Sequence, residues 1–191
     1  LRATPELARR FDENSQLLEL QFDGMYLTLA GSNSPSGLAS KPIRFVLMDE
    51  VDKYPGTSGK EADPIKLATE RTKTFHDKKI YITSTPTLKT GHIWKEKESA
   101  DIEKHYFVPC PHCGEYIELK FSNIRFPDEE GMTYADRAEF ATYICQECGC
   151  AITDADKNNM IRHGEWRIVR HNTQYVRSVA FWINTLYSPF V

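Results

Sequence analysis

"RFVLMDEVDKYPG", residues 44–56, decides the fold class. Phe45 to Met48 form an unbroken apolar run of strand length, and Asp49-Glu50 follow at once. A short run without polar alternation reads as a strand buried on both faces of a parallel sheet. Downstream, "KKIYITSTPT" (78–87) reads as a second short buried strand ending in a hydroxyl-rich turn. Between them Asp63 precedes Pro64, the pattern of an N-cap followed by proline at the first helical position. "PIKLATERTKTF" (64–75) places Ile65, Leu67, Ala68 and Phe75 among charged residues, which predicts an amphipathic helix. Strand, helix and strand in this order make a crossover unit with parallel strands, hence an α/β protein.

Upstream of this unit, Pro5 opens a short helix over 5–11. "QLLELQF" (16–22) and "MYLTLA" (25–30) flank Asp23-Gly24, a hairpin signal because that dipeptide accepts the positive φ of tight turns. "GSNSPSGLASKP" (31–42) reads as a loop at a strand exit. From His105 the text changes to short strands, cysteine turns and acidic loops: "HYFVPCPHCGEYIELKF" (105–121) and "ATYICQECGCAIT" (141–153) repeat one strand–turn–strand plan. "DADKNNMIRHG" (154–164) predicts a short helix capped by Asp154 and closed by Gly164. "EWRIVR" (165–170) and "VRSVAFWINTLYSPF" (176–190) return to strand-like, aromatic text, with Trp166, Phe181 and Trp182 read as core. The expected divisions are 1–104, 105–165 and 166–191.

The 191 residues suffice for one ordinary domain or two small ones. The net charge of -3 argues against bulk electrostatic binding of nucleic acid but leaves room for a local basic groove. No run has membrane-spanning length and no secretory pattern opens the chain, so a reducing cytoplasm is expected. Abrupt ends, "LRATPELARR" and "NTLYSPFV", suggest a segment of a longer protein.

Four of the five cysteines form two C-x-x-C pairs, Cys110/Cys113 and Cys145/Cys148, with 31 residues between them. Each pair presents two thiolates on one tight turn, and Gly114 and Gly149 permit the backbone such turns use. Four thiolates complete a closed tetrahedral site, so the reading is structural zinc. His112 is read as filling the turn, and Cys150 as a buried strand residue. Zinc ribbons touch nucleic acid or protein in some proteins and brace a fold in others, and the residues do not choose.

Acids at the carboxyl end of an apolar strand either suit nucleoside triphosphate hydrolysis or simply end the strand in a turn, where acids are common. Mg²⁺ bridging terminal phosphates needs an oxygen ligand fixed at that edge, a role for Asp49. Glu50 beside it is placed to orient and deprotonate the attacking water. Thr83, Ser84, Thr85 and Thr87 end the adjacent strand, where motor ATPases sense the γ-phosphate; taken alone they read as an ordinary Ser/Thr-Pro turn. The phosphate loop itself, G-x-x-x-x-G-K-[ST], is missing. Gly56-Thr57-Ser58-Gly59-Lys60-Glu61 has the wrong spacing, the wrong last residue and the wrong position, and reads as a flexible turn.

"GSNSPSGLAS", "VLMDEVDKYP", "DPIKLATERTKTF", "ITSTPT", the "CPHCG…CQECG" pairs and "LYSPF" occur in this order. The ordered set resembles the lambda-type (GpA family) large terminase subunit of tailed bacteriophages and prophages, over nearly the whole chain. The resemblance implies a partial P-loop NTPase-type parallel sheet with an inserted small β-rich zinc ribbon. It implies a DNA-packaging motor with an N-terminal ATPase domain and a C-terminal metal-dependent nuclease domain, acting in the host bacterial cytoplasm. Implied cofactors are ATP, Mg²⁺ and structural Zn²⁺. Implied partners are double-stranded viral DNA, the small terminase subunit, the portal of the procapsid and further copies of the chain, with no membrane. By matched motif Asp49 would be the Walker B Mg²⁺ ligand, Glu50 the catalytic carboxylate, and Ser84 and Thr85 part of the coupling motif. The Walker A loop and the nuclease carboxylates would lie outside these residues, leaving the chain alone inactive.

Weaker candidates remain. Arg71 either reaches a nucleotide in a neighbouring subunit or lies on a solvated helix face. Ser32, Asn33, Ser34 and Ser36 either contact nucleotide or nucleic acid or simply connect. Lys73, Lys78 and Lys79 either meet DNA phosphates or form a solvated charge run. Two rival functions stay open: a non-enzymatic zinc-ribbon module binding nucleic acid or protein, against which the acidic "FPDEEGMTYADRAEF" (126–140) argues, and a metal-dependent nuclease using Asp49, Glu50 and Asp52.

Overall fold

A computed structural model describes residues 4–12, 15–34, 37–38, 41–56, 63–127 and 131–188. The chain divides into two units, Leu1–Lys95 and Glu96–Val191. In the first, helix α1 (Pro5–Arg10) precedes a hairpin of β1 (Glu19–Phe22) and β2 (Met25–Thr28). Phe22 pairs with Met25, so Asp23-Gly24 is the whole loop, and Gly24 takes a φ of 76° that a side chain would strain.

Strands β3 (Phe45–Met48) and β4 (Lys79–Ile82) pair in parallel, Phe45 opposite Lys79 through Met48 opposite Ile82. Helix α2 (Pro64–Glu70) crosses between them. The Asp63 carboxylate accepts the Ile65 N–H at 2.8 Å, and Pro64 costs nothing where the helix has no N–H to bond. Ile65 and Ala68 of α2 pack with Val46, Met48 and Val51 in one apolar cluster.

Two details differ from the sequence reading. The helix stops at Glu70, because the Arg71 carbonyl is taken by the Ile43 N–H at 3.0 Å and the buried Thr72 hydroxyl bonds back to the Thr69 carbonyl at 2.8 Å. And β3 is buried on one face only: Val46 and Met48 lie under α2, while Leu47 is 75% exposed. An apolar run marks residues that tolerate burial on both sides; whether both sides are covered depends on which elements pack there.

Helix α3 (His92–Ser99), unread in the sequence, follows Gly91, and the division between units falls inside it. Its apolar residues are too few for a clear stripe. In the second unit β5 (Ile102–Pro109) is the central strand. It pairs antiparallel with β10 (Glu165–His171), parallel with β11 (Val179–Trp182), and at its end antiparallel with β6 (Tyr116–Ile117). Residues 104 and 105, where the sequence suggested a boundary, are both inside β5, and the 166–191 segment supplies both of its long neighbours. The strands β7 (Ile124–Arg125), β8 (Thr142–Ile144) and β9 (Ala151–Ile152) form a separate antiparallel sheet.

Helix α4 (Tyr134–Glu139) occupies the acidic insert, its first turn closed by reciprocal Thr133–Asp136 bonds. Helix α5 (Asp154–Arg162) takes Thr153 as its cap, one residue before the expected Asp154, because Asp156 reaches back to the Thr153 N–H and hydroxyl. Gly164 follows it without the positive φ of a terminating glycine; a Cβ there would lie 2.5 Å from the Tyr106 ring, so close approach demands it.

Val108, Cys110, Ile117, Leu119, Cys145, Ile152, Met160 and Tyr187 make the second core. The Tyr187 hydroxyl accepts from the Leu119 N–H and donates to the Tyr106 carbonyl, and burial pushes its pKa up to about 12. Trp166 and Phe181, read as core, stand on one face of the β5 sheet, edge to face at 4.9 Å, with Phe181 58% exposed. Among the described residues no helix is long and apolar enough to cross a membrane.

Glu103 is the buried charge of this unit. Its carboxylate meets Lys97 at 2.9 Å, His105 at 2.8 Å and Arg170 at 3.0 Å. Burial opposes its ionisation, but these three donors win and hold its pKa near 2. The stability it contributes is therefore full above the ordinary glutamate range and is lost as pH falls through that range toward about 2. Glu103→Gln is expected to lower stability by about 3 kcal/mol at pH 7 and to flatten the acid limb of unfolding, measured by thermal melts between pH 7 and 3.

Candidate functional site

Parallel pairing brings the carboxyl ends of β3 and β4 to one edge of the sheet, and the polar residues of both exits meet there. The ladder continues past the strands through Thr83 N to the Met48 carbonyl at 2.8 Å and Val51 N to the Thr83 carbonyl at 3.3 Å. Asp49 Oδ1 accepts the Thr83 hydroxyl at 2.7 Å and the Glu50 N–H at 3.0 Å. Oδ2 accepts no bond among the described residues.

Glu50 has φ 54° and ψ 42°, the one non-glycine at positive φ among the described residues. That left-handed backbone costs roughly 1–2 kcal/mol. It turns the chain sharply from β3 into the 3-10 turn Val51–Lys53, with Val51 wholly buried as the anchor. The Glu50 side chain stays in solvent, 3.1 Å from the Lys53 ammonium.

Ser84 Oγ accepts the Asp52 N–H at 3.1 Å and donates to the Thr85 carbonyl at 3.2 Å. Thus Asp49, Glu50, Ser84 and Thr85 share one edge, and the hydroxyl that reaches Asp49 is that of Thr83. Asp52 lies differently from the nuclease reading. Oδ2 accepts Thr87 N at 2.7 Å and Thr87 Oγ1 at 3.0 Å, and Oδ1 accepts Ile93 N at 2.8 Å. Although burial opposes the charge, these bonds hold its pKa below the ordinary aspartate value. Both Asp52 oxygens are thus bonded to the chain, through Thr87 and Ile93. Nothing in the residue pattern marks this carboxylate as a loop anchor, since its partners lie 35 and 41 residues away.

Among the described residues no hydrogen bond joins the weaker candidates to Asp49 or Glu50. Ser34 closes a turn, accepting Gly37 N on its hydroxyl at 3.2 Å. Ser32 and Asn33 lie in the turn before it, and Ser36 is outside the described residues. Arg71 is half-buried with its Nε enclosed and unbonded among the described residues, so a solvated helix face does not describe it. Of the glycine-lysine stretch 56–61, only Gly56 is described.

The second cluster lies in the other unit. The sulfurs of Cys110, Cys113, Cys145 and Cys148 all lie within 4.8 Å of one another, with Cys110 and Cys148 at 3.9 Å. Four sulfurs about 2.3 Å from one tetrahedral ion stand about 3.8 Å apart, so the donor set fits zinc. The two turns are alike: Gly114 N bonds to the Cys110 carbonyl at 2.9 Å and Gly149 N to the Cys145 carbonyl at 3.0 Å, with φ of 78° and 73° at the glycines. Cys110 and Cys145 belong to the buried core while Cys113 and Cys148 are exposed. A His112 ring N–H donates to the Ala151 carbonyl at 2.8 Å, so this side chain ties one turn to the strand after the other. Cys150 is exposed, a correction to its reading as a buried residue; its backbone carbonyl takes the Cys145 N–H.

Strand-end acids beside a hydroxyl-rich exit in one unit and four converging thiols in the other are thus the two clusters of chemistry among the described residues. Residues 1–166 match the family described as "Phage terminase large subunit gpA, ATPase domain", and the chain belongs to that family. It is 29% identical, over its whole length, to the "Terminase, large subunit" of Enterobacteria phage P21. It spans about a third (32%) of that relative's length. No solved structure matches it.

Thr83→Val removes the hydroxyl from Asp49 and keeps the side chain's shape. It is expected to cost about 1 kcal/mol in thermal unfolding, measured on the chain at neutral pH, while the same change at Thr85 costs less.

Proposed function

We propose that this chain supplies the hydrolysing and coupling residues of the ATPase in a DNA-packaging motor. One observation carries the reading: Asp49 and Glu50 sit at the carboxyl end of β3, against the Thr83–Thr85 exit of the adjacent parallel strand β4. Asp49 would hold the Mg²⁺ that neutralises charge on the terminal phosphates of bound ATP. The Thr83 hydroxyl steadies that carboxylate by holding Oδ1, leaving Oδ2 without a partner among the described residues. Glu50, fixed by its strained backbone and exposed, orients a water and takes its proton. Its contact with Lys53 must open or swing aside for that role. Ser84 and Thr85 stand where an altered phosphate would be felt by β4.

No G-x-x-x-x-G-K-[ST] pattern occurs in these residues, so the phosphates require contacts from elsewhere in the protein, and the chain alone would not hydrolyse ATP. Double-stranded DNA as the translocated substrate, with a small terminase subunit, a procapsid portal and further copies of the chain as partners, is proposed on the family alone. In the second unit Cys110, Cys113, Cys145 and Cys148 would hold structural zinc, since all four sulfurs converge and leave no open ligand position.

Glu50→Gln in the full-length protein is expected to reduce DNA-stimulated ATP hydrolysis by about a hundredfold or more without weakening nucleotide binding, the size of a general base's contribution. Unchanged turnover in that variant would remove Glu50 from the mechanism. For the thiols, the expected result is one zinc per chain by elemental analysis. Cys110→Ser should lose the metal and unfold at a lower temperature, because metal binding and folding of a small module are one equilibrium.

A further inference from the structure

Asp49 is tied to the β4 exit by one hydroxyl, but the heavier connection lies three residues on. The Asp52 carboxylate takes three donors, all from one downstream segment: Thr87 N at 2.7 Å, Thr87 Oγ1 at 3.0 Å and Ile93 N at 2.8 Å. Its own N–H goes to Ser84 Oγ at 3.1 Å. Charged acceptors make the stronger hydrogen bonds, and the Ile93 donor is in the first turn of α3, where the helix dipole favours an anion. The segment also lies unusually close. A Cβ on Gly91 would fall 2.5 Å from Asp52 Oδ2, so only glycine lets the chain wrap the carboxylate.

Between Asp49 and Asp52 the backbone has little slack. Glu50 is in the left-handed region, Val51 is wholly buried, and the Lys53 and Tyr54 N–H groups close the 3-10 turn on the carbonyls of Glu50 and Val51. A shift of the Asp49–Glu50 backbone therefore carries Asp52 with it, and Asp52 carries the Ser84–Ile93 segment.

We propose that Asp52 is a positioning residue of the ATPase, a clamp that makes the Asp49–Glu50 turn and the segment Ser84–Ile93 move as one piece. The proposal rests on the ATPase reading and adds the part that transmits the event. In this role Asp52 acts through the segment that its two oxygens hold, not on ATP or metal. Ser84 and Thr85 are then one end of a longer transmitting segment that reaches through Thr87 and Gly91 into α3.

The test uses the full-length protein, ATP and linear double-stranded DNA. Turnover is measured with and without DNA, together with the KM for ATP, in wild type, Asp52→Asn, Asp52→Glu, Thr87→Val and Glu50→Gln. Asparagine keeps the shape of Asp52 but turns an NH2 group against backbone N–H donors. The expected result is a fall of about tenfold in the ratio of DNA-stimulated to basal turnover for Asp52→Asn, with the KM for ATP within about twofold of wild type. Thr87→Val, which removes one donor and keeps the N–H, should show a smaller fall in the same ratio. Asp52→Glu should recover part of it. An unchanged ratio in Asp52→Asn, beside an inactive Glu50→Gln, would overturn the clamp and leave the ATPase reading standing. So would a parallel loss of both rates in Asp52→Asn and Thr87→Val that tracks their melting temperatures, since that is a structural role. If Asp52→Asn does not fold, Thr87→Val decides by the same ratio. A wild type whose turnover survives Glu50→Gln would overturn both readings.

Discussion

The site depends on one constraint: β3 and β4 run parallel and adjacent, with α2 crossing between them. Antiparallel neighbours would put their carboxyl ends on opposite edges, and the acids of one exit would never meet the hydroxyls of the other. Parallel pairing forces the chain to leave the sheet at one edge twice in succession. The Asp49–Thr83 bond and the Asp52 cluster follow from that geometry. Burial of Val46, Met48, Ile65 and Ala68 in one cluster is what holds the crossover in place.

At this edge the protein accepts local cost for placement. Glu50 occupies a backbone region that a glycine would take without strain, and Gly91 occupies a position where any side chain would collide with Asp52. Each is a departure from what local preference alone would select, and they fall within one polar cluster. The polar bonds there are short and many, while the Glu50 side chain meets only the exposed Lys53 ammonium among the described residues.

The second unit solves a different problem. Its core is small, and two of its members are cysteines whose sulfurs point toward two exposed ones. Apolar packing and thiol convergence occupy the same volume, so a bound ion there and the core are one structure. The Glu103 network stabilises the other end of β5, where Arg170 also caps the last carbonyls of α3 through Lys97 and Glu98. The β5 sheet is thus polar on one face. On the other it carries Trp166, Ile168 and Phe181 in the open, residues whose aromatic and apolar character alone suggested burial.

Local chemistry in the chain was legible where its cause is local. Asp23-Gly24 needs positive φ, Asp63-Pro64 starts a helix, and C-x-x-C-G makes a thiol turn; each depends on neighbours within a few residues, so the text alone determined the hairpin, α2 and both cysteine turns. The crossover was also readable, because apolar run, capped helix and second apolar run follow one another within about forty residues. The tertiary structure alone decided which polar groups meet. Thr83 rather than Ser84 or Thr85 reaches Asp49, and Asp52 holds Thr87 and Ile93. It alone decided that Leu47 and Phe181 face outward and that Arg71 is half-buried. The reason is physical: a propensity acts on the next turn of chain, whereas a hydrogen bond across tens of residues, or the covering of a sheet face, exists only once distant segments have packed.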